Sequence, residues 1–327
     1  MSRPVVVVTD YIFPDLEPSK KVLSRIDAEI RVAKSRDTAD VLDIATDADG
    51  IITCYSDINA DVIGQLKNCK IITRTGTGFD NIDVAAATEA GIVVANVRAY
   101  CDDEVSDHAM ALLLALVRKI PFLNTAVHGG RWDEAMAKPI ERPRGKTLGL
   151  AGFGTISRQV AAKAQAFGIN VQAFDPYVPD DVYKSLGVKS VSLEDLTTTS
   201  DYISLHAPLN AETHHMFNAE AFDRMKSGSY LVNTARGELI DVEALADALD
   251  EGKLAGAGLD VLPSEPPDPG LRLIGRDNVL LTPHVGFYSE NSIHDLQAGA
   301  AEQVALVLEG KPPQFPVNPE VLVAWGG

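Results

Sequence analysis

The sequence predicts an α/β fold of two domains, each a parallel sheet with helices on both faces. Three observations lead there. The chain has 327 residues, 46% of them apolar, more than one ordinary domain needs for its core. Short β-branched runs with both faces apolar alternate with helical stretches, the pattern of buried parallel strands joined by crossovers. These runs form two series, separated by a long helical segment.

The first series is 5–8, 50–53, 70–73 and 92–94. Residues 104–119 read as a helix that stops before Pro121, because the residue ahead of a proline is pushed out of the helical region. Its stretch 109–117 is almost wholly apolar, so burial is expected, between domains or at a subunit contact. Residues 128–145 hold a Gly-Gly pair and two prolines and read as an excursion loop. The second series is 147–151, 170–174, 202–205, 230–233, 255–260 and 279–282, with helices over 158–167 and 242–250 and a Pro-rich loop at 263–270. A last helix covers about 289–309 before a Pro-rich tail.

Acidic residues outnumber basic ones, 46 to 29, for a net charge of −17. Such a surface disfavours nucleic acid and anionic lipid, so no nucleic-acid or membrane partner is expected. An anionic ligand must then be captured by local cations or backbone N–H groups. Cys54, Cys69 and Cys101 form no CxxC pair, and reduced structural thiols with no metal site are expected. The N-terminus lacks the apolar core of a signal peptide, and no apolar run spans a bilayer. The cytoplasm is the expected compartment.

Between a strand and a helix lies Gly149-Leu150-Ala151-Gly152-Phe153-Gly154-Thr155-Ile156-Ser157. Gly152 permits a tight turn, Gly154 lets a pyrophosphate approach the backbone, and the helix N-terminus offers free N–H donors. Ser157 stands where a third glycine is usual. The next strand ends at Asp175, close to the spacing expected of the acid that binds the adenosine ribose. That carboxylate would repel a 2′-phosphate, and Pro176-Tyr177 supply no arginine. The cofactor expected is NAD.

Arg236, Glu265 and His284 each follow the carboxyl end of a predicted strand, where open α/β sheets bind ligands. A histidine can exchange a proton near neutral pH, a carboxylate can orient it, and an arginine can clamp an anion. Gly76-Thr77-Gly78 follows another strand, and its N–H groups could hold a carboxylate with Arg74 beside them.

The chain resembles the D-isomer-specific 2-hydroxyacid dehydrogenases. The matching motifs are Gly76-Thr77-Gly78-Phe79-Asp80-Asn81-Ile82-Asp83, Glu104-Val105-Ser106-Asp107-His108, the Gly152 turn, His206-Ala207-Pro208-Leu209, Asn233-Thr234-Ala235-Arg236-Gly237, Gly258-Leu259-Asp260-Val261 and Thr282-Pro283-His284. The segments 74–83 and 284–290 look most like the C-terminal-binding-protein branch. The resemblance implies two Rossmann-like domains, with a cofactor domain at 100–286 inserted into a discontinuous substrate domain at 1–99 and 287–327. It implies hydride transfer between NAD and a 2-hydroxy acid or its 2-keto acid, with His284 as acid/base, Glu265 as its partner and Arg236 as both substrate-binding and catalytic. Thr234, Ala235, Arg236 and Asp260 would line the nicotinamide side, and Thr155 and Ile156 the pyrophosphate. Ala207, Pro208, Thr213, His284 and Gly286 would be further cofactor contacts, and Phe287 a substrate contact favouring an apolar or aromatic side chain. A homodimer is implied as well. Phosphoglycerate dehydrogenase, a formate- or phosphite-oxidising enzyme and a non-enzymatic NAD(H)-sensing binding protein remain open beside this reading.

Overall fold

The computed structural model describes residues 3–323. The chain divides into two compact units, Met1–Tyr100 with Ser289–Gly327, and Cys101–Tyr288. In the first unit, strands β1 (Val5–Val8), β2 (Glu29–Val32), β3 (Gly50–Thr53), β4 (Ile71–Arg74) and β5 (Val93–Ala95) form one parallel sheet in the order β2-β1-β3-β4-β5. Val7, Ile51, Ile72 and Val94 point into one apolar cluster with Val41, Ile58 and Val62 from the crossovers. The Glu290–Leu308 helix returns to this unit, and its Val304 lies where a side chain at Gly50 would be. β2 lies at the sheet edge and exposes part of every residue, which suits its alternation of charged and apolar groups.

In the second unit, β6 (Thr147–Ala151), β7 (Asn170–Phe174), β8 (Lys189–Ser190), β9 (Tyr202–Leu205), β10 (Ser229–Asn233), β11 (Leu254–Leu259) and β12 (Val279–Leu281) form a seven-stranded parallel sheet, ordered β12-β11-β10-β9-β6-β7-β8. Successive residues feed opposite faces: Leu231 and Ile203 enter one core cluster, Val232 and Tyr202 the other. The order reverses between β9 and β7, on either side of β6.

The Asp102–Val117 helix is buried within this unit. Leu112 and Leu116 sit on the side-chain-free backbone of Gly258 in β11. Ala109, Met110, Leu112, Leu113 and Val117 join the second unit's own core. The chain then forms a second helix, Ile120–His128, with its proline in the first turn. Among the described residues no single helix is long and apolar enough to cross a membrane. Cys54 and Cys69 are free thiols, and burial pushes Cys54 up to about 11 and Cys69 to about 12.

Candidate active site

The turn after β6 is built around Gly152. Its φ is +90°, and a Cβ there would lie 2.6 Å from the backbone N of Ala207 and 2.8 Å from the carbonyl of His206. The Ser157 hydroxyl donates to the Gly152 carbonyl at 2.7 Å. The serine thus ties the helix to the turn, beyond being small enough to fit. Gly154 caps the Thr155–Ala166 helix without a side-chain hydrogen bond, and a Cβ there meets nothing within 4 Å. Thr155 and Ile156 form the open first turn of that helix, where unpaired N–H groups favour an anion.

Asp175 sits just beyond β7. Its carboxylate accepts from the Phe153 amide at 2.8 Å and the Tyr177 amide at 3.0 Å. Those two bonds orient it and leave lone pairs for hydroxyl donors. Beyond β9, Ala207 is buried under the turn, and the Thr213 hydroxyl donates to the Pro208 carbonyl at 2.6 Å. At the end of β10, Asn233 accepts from the Ala235 amide at 3.0 Å and donates to the Arg236 carbonyl at 2.7 Å. The Thr234 hydroxyl is buried without a partner among the described residues, a state buried polar groups rarely keep. The open cradle at Gly154, the oriented carboxylate and this orphaned hydroxyl fit a dinucleotide.

β10, β11 and β12 are neighbours in the sheet, and in chain order. Arg236, Glu265 and His284 follow them, so the three loops that bear these candidates emerge side by side, roughly 5 Å apart per strand. Glu265 Oε1 accepts from the Leu262 amide at 3.1 Å, and Oε2 lies 2.8 Å from His284 Nδ1. Burial raises the Glu265 carboxyl, but the hydrogen bond and charge of His284 outweigh it and hold the group below its usual range. With Nδ1 engaged, His284 Nε2 has no partner among the described residues. The imidazole is 31% exposed and meets the Phe287 ring edge-on at 6.0 Å.

His284 has a left-handed φ of +53°, rare for a non-glycine residue and typical of functional sites. Asp260 holds it there. The Asp260 carbonyl accepts from the His284 amide at 2.8 Å, and its carboxylate accepts from the amides of Val285 at 3.0 Å and Gly286 at 2.8 Å. Thr282 donates its hydroxyl to the same carboxylate at 2.5 Å, and His108 from the Asp102–Val117 helix reaches Thr282 at 2.9 Å. Sequence reasoning gave no role to Thr282 or to His108. The only signal for His108 was its place in the Glu104–His108 motif.

The first unit carries the other candidates. Arg74 ends β4, and its guanidinium occupies the space a side chain at Gly76 would need. It lies 5.8 Å from the Tyr55 ring, and its buried Nε has no acceptor. The Gly76 amide already donates to the Arg74 carbonyl at 3.0 Å. The amides of Thr77 and Gly78 are therefore the ones this turn can offer a ligand.

A reversed strand order with a glycine turn and ribose-type acid at the strand ends defines a dinucleotide-binding α/β protein. The family model for the D-isomer specific 2-hydroxyacid dehydrogenase, NAD binding domain, matches residues 110–286. The D-3-phosphoglycerate dehydrogenase of Methanocaldococcus jannaschii is 39% identical over 96% of this chain. The chain spans only 59% of that protein's length. The hydroxypyruvate reductase of Thermotoga maritima is also 39% identical, over 88% of this chain and 92% of that protein. Among solved structures, D-lactate dehydrogenase from Aquifex aeolicus, complexed with NAD and lactic acid, superposes with a TM-score of 0.85 at 30% identity, covering 93% of this chain and 96% of that one. The chain belongs to the D-isomer specific 2-hydroxyacid dehydrogenase family, and NAD is the cofactor its second unit is built to hold.

Proposed function

We propose that this protein is an oxidoreductase that interconverts a small 2-hydroxy acid and its 2-keto acid. The observation that carries the reading is the His284–Glu265 pair, closed at 2.8 Å on Nδ1 and open on Nε2. A carboxylate on Nδ1 fixes the ring, which leaves Nε2 to deliver a proton to a carbonyl oxygen or take it from a hydroxyl. Arg236 polarises that oxygen and clamps the substrate carboxylate, a task suited to a permanent, forked cation. Bound NAD supplies or accepts the hydride. Gly152, Gly154, Thr155 and Ile156 hold its pyrophosphate, Asp175 its adenosine ribose, and Thr234, Ala235 and Asp260 its nicotinamide end. Ala207, Pro208, Thr213 and Gly286 complete the cofactor contacts.

For the substrate we propose Arg74, Gly76, Thr77 and Gly78 on the carboxylate. The orphaned Nε of Arg74 and the unpaired amides of Thr77 and Gly78 support this. Phe287, edge-on to His284, takes the substrate side chain. The reading also makes the protein a cytoplasmic homodimer. Ile120, Val127 and Trp132, 56%, 45% and 89% exposed, suit a subunit contact, and sedimentation velocity giving a monomer would remove that part.

The deciding assay is steady-state reduction of glyoxylate, pyruvate, hydroxypyruvate and 3-phosphohydroxypyruvate with NADH and with NADPH. Turnover with NADH that falls at least ~100-fold in His284→Ala supports the reading, that being the lower range for a lost general acid. Tight NADH binding with negligible turnover on every acid would overturn it in favour of an NAD(H)-sensing binding protein. In Phe287→Ala the ranking of keto acids by side-chain size should change, and an unchanged ranking removes Phe287 from the pocket.

A further inference from the structure

We propose that His108 is a positioning residue for the acid/base turn: through Thr282 and Asp260 it holds the strained loop that aims His284. The proposal rests on His284 being the acid/base, and deepens that reading. His108 stands on the Asp102–Val117 helix, 174 residues from its partner Thr282. Its Nε2 lies 2.9 Å from Thr282 Oγ1 and 3.4 Å from Asp260 Oδ1.

The proton positions follow from the chemistry of the partners. Asp260 is 3% exposed and accepts from two backbone amides, so it serves as an ionised acceptor. The Thr282 hydroxyl, 2.5 Å from Oδ1, must then donate to it. That leaves a lone pair on Thr282, which can only accept, so His108 presents Nε2–H to it. One imidazole therefore closes a chain that runs through Thr282 to Asp260. From Asp260 it continues to the amides of residues 284, 285 and 286, all three of which end on that aspartate. Three consecutive amides on one side chain and its carbonyl are what keep a histidine at φ +53°, a conformation that persists only where its surroundings over-determine it.

The titratable groups facing Asp260 are His108 from the helix and Glu265 from the loop after β11, with His284 beyond Glu265. Burial pushes the Asp260 carboxyl up, but the hydrogen bonds from His108, Thr282 and the two amides prevail and hold it low. A carboxylate held low keeps its ionised form, and the turn it anchors, above that depressed pKa. The turn is lost as pH falls through it. Removing the His108 donor lets the loss begin at higher pH.

The test compares His108→Ala and His108→Gln in the full chain with the preferred keto acid and NADH. His108→Ala should lower kcat about tenfold, the effect of one hydrogen bond worth ~1.4 kcal/mol, with KM nearly unchanged and the acid limb of the pH profile displaced upward. Hydrogen exchange at the Val285 and Gly286 amides should quicken, a readout independent of turnover. His108→Gln keeps a side-chain N–H donor and should restore the limb and the exchange rates; it also carries the test if the alanine variant folds poorly. An unmoved acid limb and unchanged exchange in His108→Ala, whatever its Tm, would overturn the proposal. So would failure of a well-folded His108→Gln to restore them. His284→Ala run in parallel separates the two claims. If it is inactive while His108→Ala is normal, only the positioning role fails. If it turns over normally, the acid/base assignment fails first.

Discussion

Gly152 and Gly154 lie two residues apart in one turn, yet substitution should damage the protein by different routes. An alanine at 152 must adopt φ near +90°, for which a left-handed conformation costs roughly 1–2 kcal/mol. Its Cβ also lies 2.6–2.8 Å from three backbone atoms of His206 and Ala207. Backbone cannot rotate away as a side chain can, so overpacking adds about 1–3 kcal/mol. Together these give ~2–5 kcal/mol before any cofactor is present. For a unit of this size, at about 2–4 °C per kcal/mol, Tm should fall by about 10 °C. At 154 the φ is an ordinary −75° and a Cβ meets nothing within 4 Å. Gly154→Ala should therefore melt within ~2 °C of the parent, while its methyl fills the space a pyrophosphate needs. Thermal melts without cofactor and NADH titration by fluorescence measure both effects. A Gly152→Ala protein with parental Tm would refute the steric reasoning. A Gly154→Ala protein that binds NADH as the parent does would refute the cradle.

Three further outcomes are expected. Arg236→Ala should lose at least ~100-fold in kcat/KM while NADH Kd changes little, and Arg236→Lys should not recover it, because a point charge cannot replace a forked donor; stopped-flow NADH binding beside steady-state rates decides this. Glu265 is held ionised by His284 against the effect of burial, so it meets the ring as a charged acceptor above its depressed pKa and loses that charge as pH falls through it. Glu265→Gln should lower kcat in keto-acid reduction at least ~10-fold with NADH Kd little changed, because the ring loses its charged orienting partner, and a parental kcat would contradict this. Asp175→Ser keeps a ribose hydrogen-bonding group but removes the charge, so kcat/KM for NADPH relative to NADH should rise about tenfold or more, and an unchanged ratio would show that another group excludes the phosphate.

The sequence made the buried strands legible because their signal is continuous apolarity. Runs such as Val5–Val8 and Tyr202–Leu205 have no polar face to blur them. β2 escaped notice because Glu29 and Arg31 interrupt its run. Arg31 reaches Glu29 and Asp47 at 2.7 Å each, so the charges that hid the strand also protect its open edge. β8 is two exposed residues and carries no pattern at all. Pro121 was legible as a helix stop, but it also starts the Ile120–His128 helix, where a first-turn proline lacks only an N–H that would be unpaired anyway. That Arg236, Glu265 and His284 follow strand ends was readable from the sequence. The contact of His108 with Thr282 was not, since it depends on a helix packing against strand ends more than 150 residues later.

The geometry of the site follows from sheet order. When strands adjacent in sequence are also adjacent in a parallel sheet, their carboxyl-end loops leave from one edge at a spacing the sheet dictates. β10, β11 and β12 meet that condition, so the loops bearing Arg236, Glu265 and His284 leave side by side, and Glu265 and His284 meet at 2.8 Å. What the sheet cannot supply is direction. That comes from polar side chains at the strand ends, which replace the missing ladder partners: Asn233 ties the Arg236 turn, Glu265 accepts from its own loop at Leu262, and Asp260 gathers three amides around His284. Most of these ties are acceptors facing backbone N–H, and Asn233 also donates to the Arg236 carbonyl; losing such a bond costs ~1–3 kcal/mol where it leaves a buried group unpaired. Substitutions at Asn233 or Asp260 should therefore impair the chemistry as severely as changes to the reacting groups, although neither Asn233 nor Asp260 would donate the proton.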